Sequence, residues 1–210
     1  GAEFGYGRFQ DAERSMDHYH WENSASIESW YGKLTGHFGE SSAVSAFYLK
    51  NVQGLDGNSV DPSIKGAHVH AWGAGATIDL GDSGLNIDGD FIQTRGNRDL
   101  GHANLWTAGL NYGKVDLNKP GSFTLGVHYV RADAGAYLLG NSALDMTDQL
   151  EYGWDNGTGV KFWVAKAGVA VQKNVELDAY YNFGAKAFDR YDDSTKDPAN
   201  TWGVELNYAF

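Results

Sequence analysis

The sequence predicts an all-β fold: a transmembrane, antiparallel, up-and-down β-barrel of about ten strands. Three observations predict it. Segments of about ten residues alternate apolar with small or polar side chains, the connections between them alternate short and long, and aromatic residues concentrate near the segment ends. A strand that crosses a bilayer needs ~9–11 residues and presents alternate side chains to lipid and to the lumen.

Composition narrows the class of protein. The 210 residues contain 28 glycines, 3 prolines and no cysteine, and 14% are aromatic. This mixture suits strands and turns, and the lack of cysteine excludes disulfides and thiolate metal sites. A formal net charge of -11 argues against a nucleic-acid partner, which needs a basic surface. The first residues, GAEF, show no leader pattern, so we expect no signal peptide in this sequence.

The last segment shows the alternation most clearly, because apolar side chains from Trp202 to Phe210 alternate with small or polar ones. The first three strands have an ambiguous phase, since apolar residues occur on both of their faces. The same reading along the whole chain predicts ten strands, in order 1–10, 25–37, 43–50, 68–80, 85–94, 105–113, 122–130, 161–171, 175–183 and 201–210.

The connections also follow a pattern. Short periplasmic turns and long external loops are typical of outer-membrane barrels. Residues 132–158 form the longest insertion, and we expect this loop to constrict the mouth. The short connections are 38–42, 81–84, 118–121 and 172–174, and the long ones are 11–24, 51–66, 95–104, 132–158 and 185–200.

Aromatic residues on the apolar phase sort by strand end, which predicts two interfacial girdles. A soluble β-sandwich or calyx, the alternative fold, gives no reason for such sorting. Beside the long loops lie Trp72, Trp106, Tyr129, Trp163 and Trp202, and beside the short turns or the carboxyl terminus lie Tyr112, Phe123 and Phe210.

Charged side chains occupy the polar phase, and they predict an acidic lumen that favours cations or neutral solutes. The alternative is that these side chains fill a plugged barrel, because a ten-stranded barrel has a narrow interior. The predicted pore-lining residues are Asp79, Asp88, Asp90, His128, Lys166, Glu176, Asp178 and Glu205.

Other chemistry has little support in the sequence. His18 with His20, and His68 with His70, each put two imidazoles on one strand face, but no third ligand accompanies either pair. No nucleophile or activated water has a recognisable motif. We therefore predict neither an enzyme nor a metal or cofactor.

Three segments carry a family resemblance. The closing strand WGVELNYAF, residues 202–210, matches the carboxyl-terminal signature of outer-membrane barrels, which the assembly machinery recognises. The segments FTLGVHYVRADAGAYL, residues 123–138, and VKFWVAKAGVAVQKNVELDAYYNF, residues 160–183, resemble the OmpM-type porins of diderm relatives of Gram-positive bacteria. The resemblance covers about the last two-thirds of the chain.

The resemblance implies a porin for small hydrophilic solutes in the outer membrane of a diderm bacterium, in contact with lipid and lipopolysaccharide. It also implies a homotrimer, and a tether to the cell wall through an S-layer-homology domain. This sequence shows no such domain and predicts fewer strands, so we expect one barrel domain over residues 1–210 or part of a larger barrel. The alternative functions are a structural anchor between envelope layers and, less favoured, a barrel enzyme.

Overall fold

The structure is a computed structural model that describes residues 1–10, 27–39, 41–51, 70–95, 102–136, 144–155, 157–189 and 194–209. These residues form one sheet of ten antiparallel strands, each hydrogen-bonded to the next along the chain. A helix packs on one face of the sheet. No helix in this part of the chain is long and apolar enough to cross a bilayer.

The strands are β1 (Ala2–Gln10), β2 (Ile27–Phe38), β3 (Ser42–Asn51), β4 (His70–Asp79), β5 (Leu85–Arg95), β6 (His102–Gly113), β7 (Phe123–Ala132), β8 (Gly159–Gln172), β9 (Val175–Phe188) and β10 (Thr201–Tyr208). A short 3₁₀ turn covers Gly81–Ser83, and the helix α1 covers Leu144–Asp155.

All ten predicted strands are present, and two boundaries differ clearly from the prediction. β6 begins at His102 rather than at residue 105, and β9 continues to Phe188 rather than ending at residue 183. Gly184 in β9 has a φ of 64°, a left-handed conformation that favours glycine. The local irregularity interrupts the alternation, which is why the sequence pattern ends one residue before it.

The sheet is open. Among the residues that the structure describes, β1 pairs with β2 alone and β10 with β9 alone, so these two strands are its edges. Side chains there are the most exposed of the apolar residues, with Phe4 85% and Trp202 73% exposed. The structure therefore has the predicted all-β, up-and-down order but not the predicted closed ring.

The strand register assigns every side chain to one of two faces, because residues directly opposite each other share a face. Trp72, Phe91 and Trp106 fall on one face, since Ala74 pairs with Phe91 and Phe91 pairs with Trp106. Continuing across β7 to β10, the same face carries the apolar residues of each predicted alternation. We call it the apolar face, and the opposite one the polar face.

A small core lies on the polar face, at the end of the sheet beside the long connections. Val130 pairs with Phe162 across β7 and β8, and both are fully buried. α1 covers them with Leu150, which is 3% exposed. Its Gln149 Nε2 donates to the carbonyl of Ala199 at 2.8 Å, which fastens the helix to the segment before β10. The predicted constriction loop 132–158 thus contains a docked helix that the sequence analysis missed.

The turn between β6 and β7 is organised by one carboxylate. The backbone N–H of Asn118 donates to Asp116 Oδ1 at 3.0 Å, and this hydrogen bond is the main cause that lowers the pKa of Asp116. The hydroxyl of Ser122 accepts from the Asp116 N–H and donates to its carbonyl, at 2.8 and 3.0 Å. This turn therefore satisfies its own backbone groups at the short-connection end of the sheet.

Candidate functional site

The candidate site is the polar face outside the helix-covered core. All eight predicted pore-lining residues lie on this face by register, which is the placement that the alternation predicts. The pairs that establish it are Asp79 with Asn86, Asp88 with Gly109, Asp90 with Thr107, Gly109 with His128, Gly126 with Lys166, Lys166 with Tyr180, Ala170 with Glu176, and Asp178 with Glu205.

Asp88 and His128, from β5 and β7, meet above the glycine of the strand between them. The Asn111 amide Nδ2 donates to Asp88 Oδ1 and, at 2.9 Å, to Asn86 Oδ1. Its Oδ1 can only accept, so His128 Nε2 donates to it at 2.9 Å. His128 Nδ1 then lies 3.4 Å from Asp88 Oδ2, and a proton on Nδ1 makes this contact an ion pair. The four side chains form one network across three strands.

Glycines make room for this network. A Cβ on Gly109 would overlap the His128 ring and approach Asp88 Oδ1, and a Cβ on Gly126 would overlap Asn111 Oδ1. The polar side chains therefore lie along the sheet, over the glycines of neighbouring strands. His128 is only 7% exposed in this position.

Three acids gather near the β10 edge. Asp178 and Glu205 are directly opposite each other, a like-charge pair that is destabilising by itself. Asn207 Nδ2 donates to Asp178 Oδ2 at 2.9 Å and partly compensates the repulsion. Glu176 lies beside Asp178, and a Cβ on Gly168 would meet both carboxylates. The structure therefore brings three of the predicted acids into one negative patch.

The remaining predicted residues occupy different settings. Asp90 accepts a 3.5 Å hydrogen bond from the Thr107 hydroxyl, which in turn accepts from the Asp90 N–H at 3.1 Å. Asp79 ends β4 and accepts from the N–H of Gly81 at 2.8 Å, so its carboxylate supports a turn. Lys166 is a basic residue of the polar face, where it lies opposite Gly126 and Tyr180.

The predicted girdle residues form aromatic rows on the apolar face. Near the long connections, the Tyr129 ring lies 5.1 Å from Trp106 and 4.9 Å from Trp163, measured between centroids. Trp72 lies 5.3 Å from Phe91 and donates from Nε1 to Gln93 at 3.2 Å. These tilted contacts are the favourable arrangement for aromatic pairs.

At the opposite strand ends, the rings of Tyr112 and Phe123 lie 6.2 Å apart. Trp202, opposite Tyr181, continues the long-connection row to the β10 edge. The remaining predicted girdle residue, Phe210, lies outside the described residues. The two aromatic groups are therefore at opposite ends of the strands.

Two buried amide oxygens lie under α1, where the sequence analysis predicted no site. Gln149 Oε1 and Asn182 Oδ1 have no hydrogen-bond partner among the described residues, although the amide nitrogens of both donate to Thr201 Oγ1. Met146 and Leu150 lie four residues apart, a spacing that fits one helix face and is the weak signal by which the sequence could have indicated the helix. It does not predict which strands the helix covers.

The candidate site has no metal-binding arrangement among the described residues, where three or more His, Asp or Glu do not gather in a suitable group. Of the four histidines in the HxH pairs, only His70 is described, and its ring lies 6.1 Å from Tyr48. The polar face presents carboxylates, amides, hydroxyls and lysines. No protein-family model matches the chain, and no curated protein was found to match it.

Proposed function

We propose that the protein is an outer-membrane porin, in which the sheet is barrel wall and small hydrophilic solutes diffuse along its polar face. The distribution of exposed apolar side chains carries this proposal. Apart from Leu80 in a turn and Val171 at a bulge of β8, every large exposed apolar residue that the structure describes lies on the apolar face. Soluble monomers rarely expose apolar patches of more than a few hundred Å².

The aromatic rows support the membrane assignment. Trp and Tyr are enriched where lipid meets water, because their rings are apolar and their N–H or O–H groups are polar. A sheet with aromatic rows at both strand ends and aliphatic side chains between them matches the profile of a bilayer. We propose lipid and lipopolysaccharide as the partners of the apolar face.

The charge of the polar face supports the proposal that the path conducts cations and neutral solutes. Its acids outnumber its bases among the predicted pore-lining residues, and rings of carboxylates favour cations. α1 occupies one end of this face over β8, β9 and the start of β10, and we propose that it narrows the path at the side of the long connections. The acidic patch near β10 lies on the uncovered part of the same face.

Ring closure is part of the proposal, because a sheet edge in lipid leaves backbone groups without hydrogen-bond partners. The edges β1 and β10 therefore require partners in the membrane, which are each other or strands outside this sheet. A ten-stranded ring has an interior largely filled by side chains, whereas a larger ring leaves a channel. The size of the conductance distinguishes the two. The homotrimer and recognition of residues 202–210 by the assembly machinery remain predictions from the resemblance.

Planar-bilayer recording tests the function. Purified protein should give stable conductance steps, and a KCl gradient should give a reversal potential of the sign that indicates cation preference. Protein that folds in detergent and adds to the bilayer without conductance would overturn the porin proposal.

Two adjacent substitutions in β10 separate the roles of the faces. Val204→Lys places a charge on the apolar face and should disfavour insertion by about 2–4 kcal/mol if it lies near the membrane centre. Glu205→Lys places the same charge on the polar face and should leave insertion unchanged while reducing cation preference. Equal insertion of the two variants in a liposome flotation assay would contradict the assignment of the faces.

A further inference from the structure

A polar hollow lies over β2, β3, β4 and β5, away from α1 and from the acidic patch near β10. Its lining presents groups of three kinds, namely one ammonium, two carboxylates and three hydroxyls. All of them lie on the polar face by register. The polar residues of the lining are Lys33, Thr35, Ser45, Thr77, Asp88 and Asp90, and the small or apolar residues Ala43, Val44, Gly75 and Ala76 complete it.

Two aromatic rings lie next to this hollow on the polar face, outside its lining. Phe47 is directly opposite Lys33, and its ring extends sideways across β4, where a Cβ on Gly73 would overlap it. The ring therefore lies over Gly73 of β4, beside the Lys33 end of the hollow. The Tyr31 ring lies 6.5 Å from it with an interplanar angle of 33°, which extends the platform toward β1.

The carboxylate of Asp90 lies low in the hollow for a similar reason. A Cβ on Gly75 would overlap Asp90 Oδ1, so the side chain crosses the neighbouring strand instead of projecting into the open space. In the register, Thr35, Ser45, Gly75 and Asp90 occupy successive strands of one row. A row of hydroxyls thus leads to a carboxylate, next to an aromatic platform.

The mixture of groups decides which ligand fits. A cationic solute would leave the Lys33 ammonium without a partner, and an anionic solute would face two carboxylates. A neutral polyol has hydroxyls that donate to Asp88 and Asp90 and accept from Lys33. The aromatic platform further favours a polyol with a flat apolar surface, and the C–H face of a pyranose ring provides one.

We propose that this hollow is a saccharide-binding site, in which a sugar ring stacks on Phe47 and its hydroxyls contact Asp90, Lys33 and Thr35. The proposed site rests on the proposed function, since solutes reach it along the polar face of a barrel wall. The site gives the path a preferred class of solute, neutral sugars. The carboxylates alone would favour cations.

Binding can be measured without conduction. The full chain, folded in detergent, is titrated by saturation-transfer difference NMR with maltotriose, and with sorbitol as an open-chain polyol that lacks a ring. Maltotriose should bind and sorbitol should bind at least about ten-fold more weakly, the factor expected from one aromatic stacking contact. Equal signals from the two would overturn the proposal.

Substitutions locate the site. Phe47→Ala should weaken maltotriose binding about ten-fold, and Phe47→Leu, which keeps the apolar volume and removes the ring, should weaken it similarly. Phe91→Ala is the matched control, because Phe91 is adjacent to Asp90 but lies on the apolar face against Trp72. Unchanged binding by a folded Phe47→Leu variant would refute the site.

The two proposals fail separately. Sugar binding that depends on Phe47, together with a silent bilayer, would overturn the porin function and leave the site standing. Steady conductance without any maltotriose binding would overturn the saccharide-binding site and leave the porin function standing.

Discussion

The two ends of the polar face differ although the same strands build both. On β7, His128 belongs to a polar network while Val130, the next residue on that face, is fully buried in the core. On β8, Val164 is fully buried and Lys166, the next on the face, lies opposite Gly126. One step along each strand therefore separates a packed region from an open one. The difference is α1, which covers only the first region.

This contrast shows that the alternating pattern of a strand determines which face a side chain lies on but not what surrounds it there. In the covered region, stability comes from apolar packing against a helix. In the open region, it comes from hydrogen bonds among side chains that lie over glycines. Four variants test this division, and we order them by the expected change in the free energy of unfolding.

Phe162→Ala should have the largest effect. Phe162 is fully buried beneath α1, and removing a buried phenylalanine ring typically costs about 3–5 kcal/mol. Urea unfolding in detergent, followed by tryptophan fluorescence, measures the loss. Leu125→Ala is the control, because Leu125 is 50% exposed on the apolar face. This substitution should lower the free energy of unfolding by less than Phe162→Ala does. Similar losses would mean that the helix-covered region is no better packed than the rest of the sheet.

Leu150→Asp should undock α1. Leu150 packs in the core and is 3% exposed, so an unpaired carboxylate there is unfavourable and about 2–5 kcal/mol of leucine packing is lost. Hydrogen exchange should then accelerate in residues 144–155 while β8 remains protected. The control Glu151→Ala changes an exposed residue of the same helix. Persistent protection of α1 in Leu150→Asp would contradict its docking.

Gly109→Ala should disturb the open region. The new Cβ would overlap the His128 ring, and such overpacking usually costs about 1–3 kcal/mol. Gly7→Ala is the control, because it adds the same methyl group to the same face at a position where no atom lies within 4 Å. It should leave the free energy of unfolding unchanged. The readouts are urea unfolding and the NMR shift of the His128 ring protons. If the His128 ring signals do not move in Gly109→Ala, the ring does not lie over Gly109.

Asp88→Asn should have the smallest effect. It removes the charge that faces His128 Nδ1 at 3.4 Å but keeps the shape of the side chain. Because Asp88 is partly exposed, we expect a loss of about 1 kcal/mol. Glu205→Gln, on the exposed β10 edge, should change stability by less than about 0.5 kcal/mol. If the two variants behave alike in urea, the Asp88–His128 contact contributes no stability.

The sequence predicted the strands well where alternation is unbroken. β5, from Leu85 to Arg95, and β8, around Trp163 to Val171, lie within one or two residues of the predicted bounds. The prediction failed at Gly184, where the left-handed backbone interrupts the period of two, and in the insertion between β7 and β8. A helix of twelve residues inside a polar loop gives a weak local signal, and its docking depends on distant strands.

From β4 to β10 the sequence by itself determined which side chains share a face, since the period of a strand is a property of its backbone. In β1 to β3, where apolar residues occur on both faces, only the register in the structure did so. The sequence therefore predicted the eight polar-face residues and the ends at which the aromatic groups lie. Only the tertiary structure decided which of these residues meet, because contacts across strands depend on register. Asp88 reaches His128 over Gly109, Phe47 lies over Gly73, and α1 closes one end of a face whose other end stays open, and each of these contacts joins residues far apart in the chain.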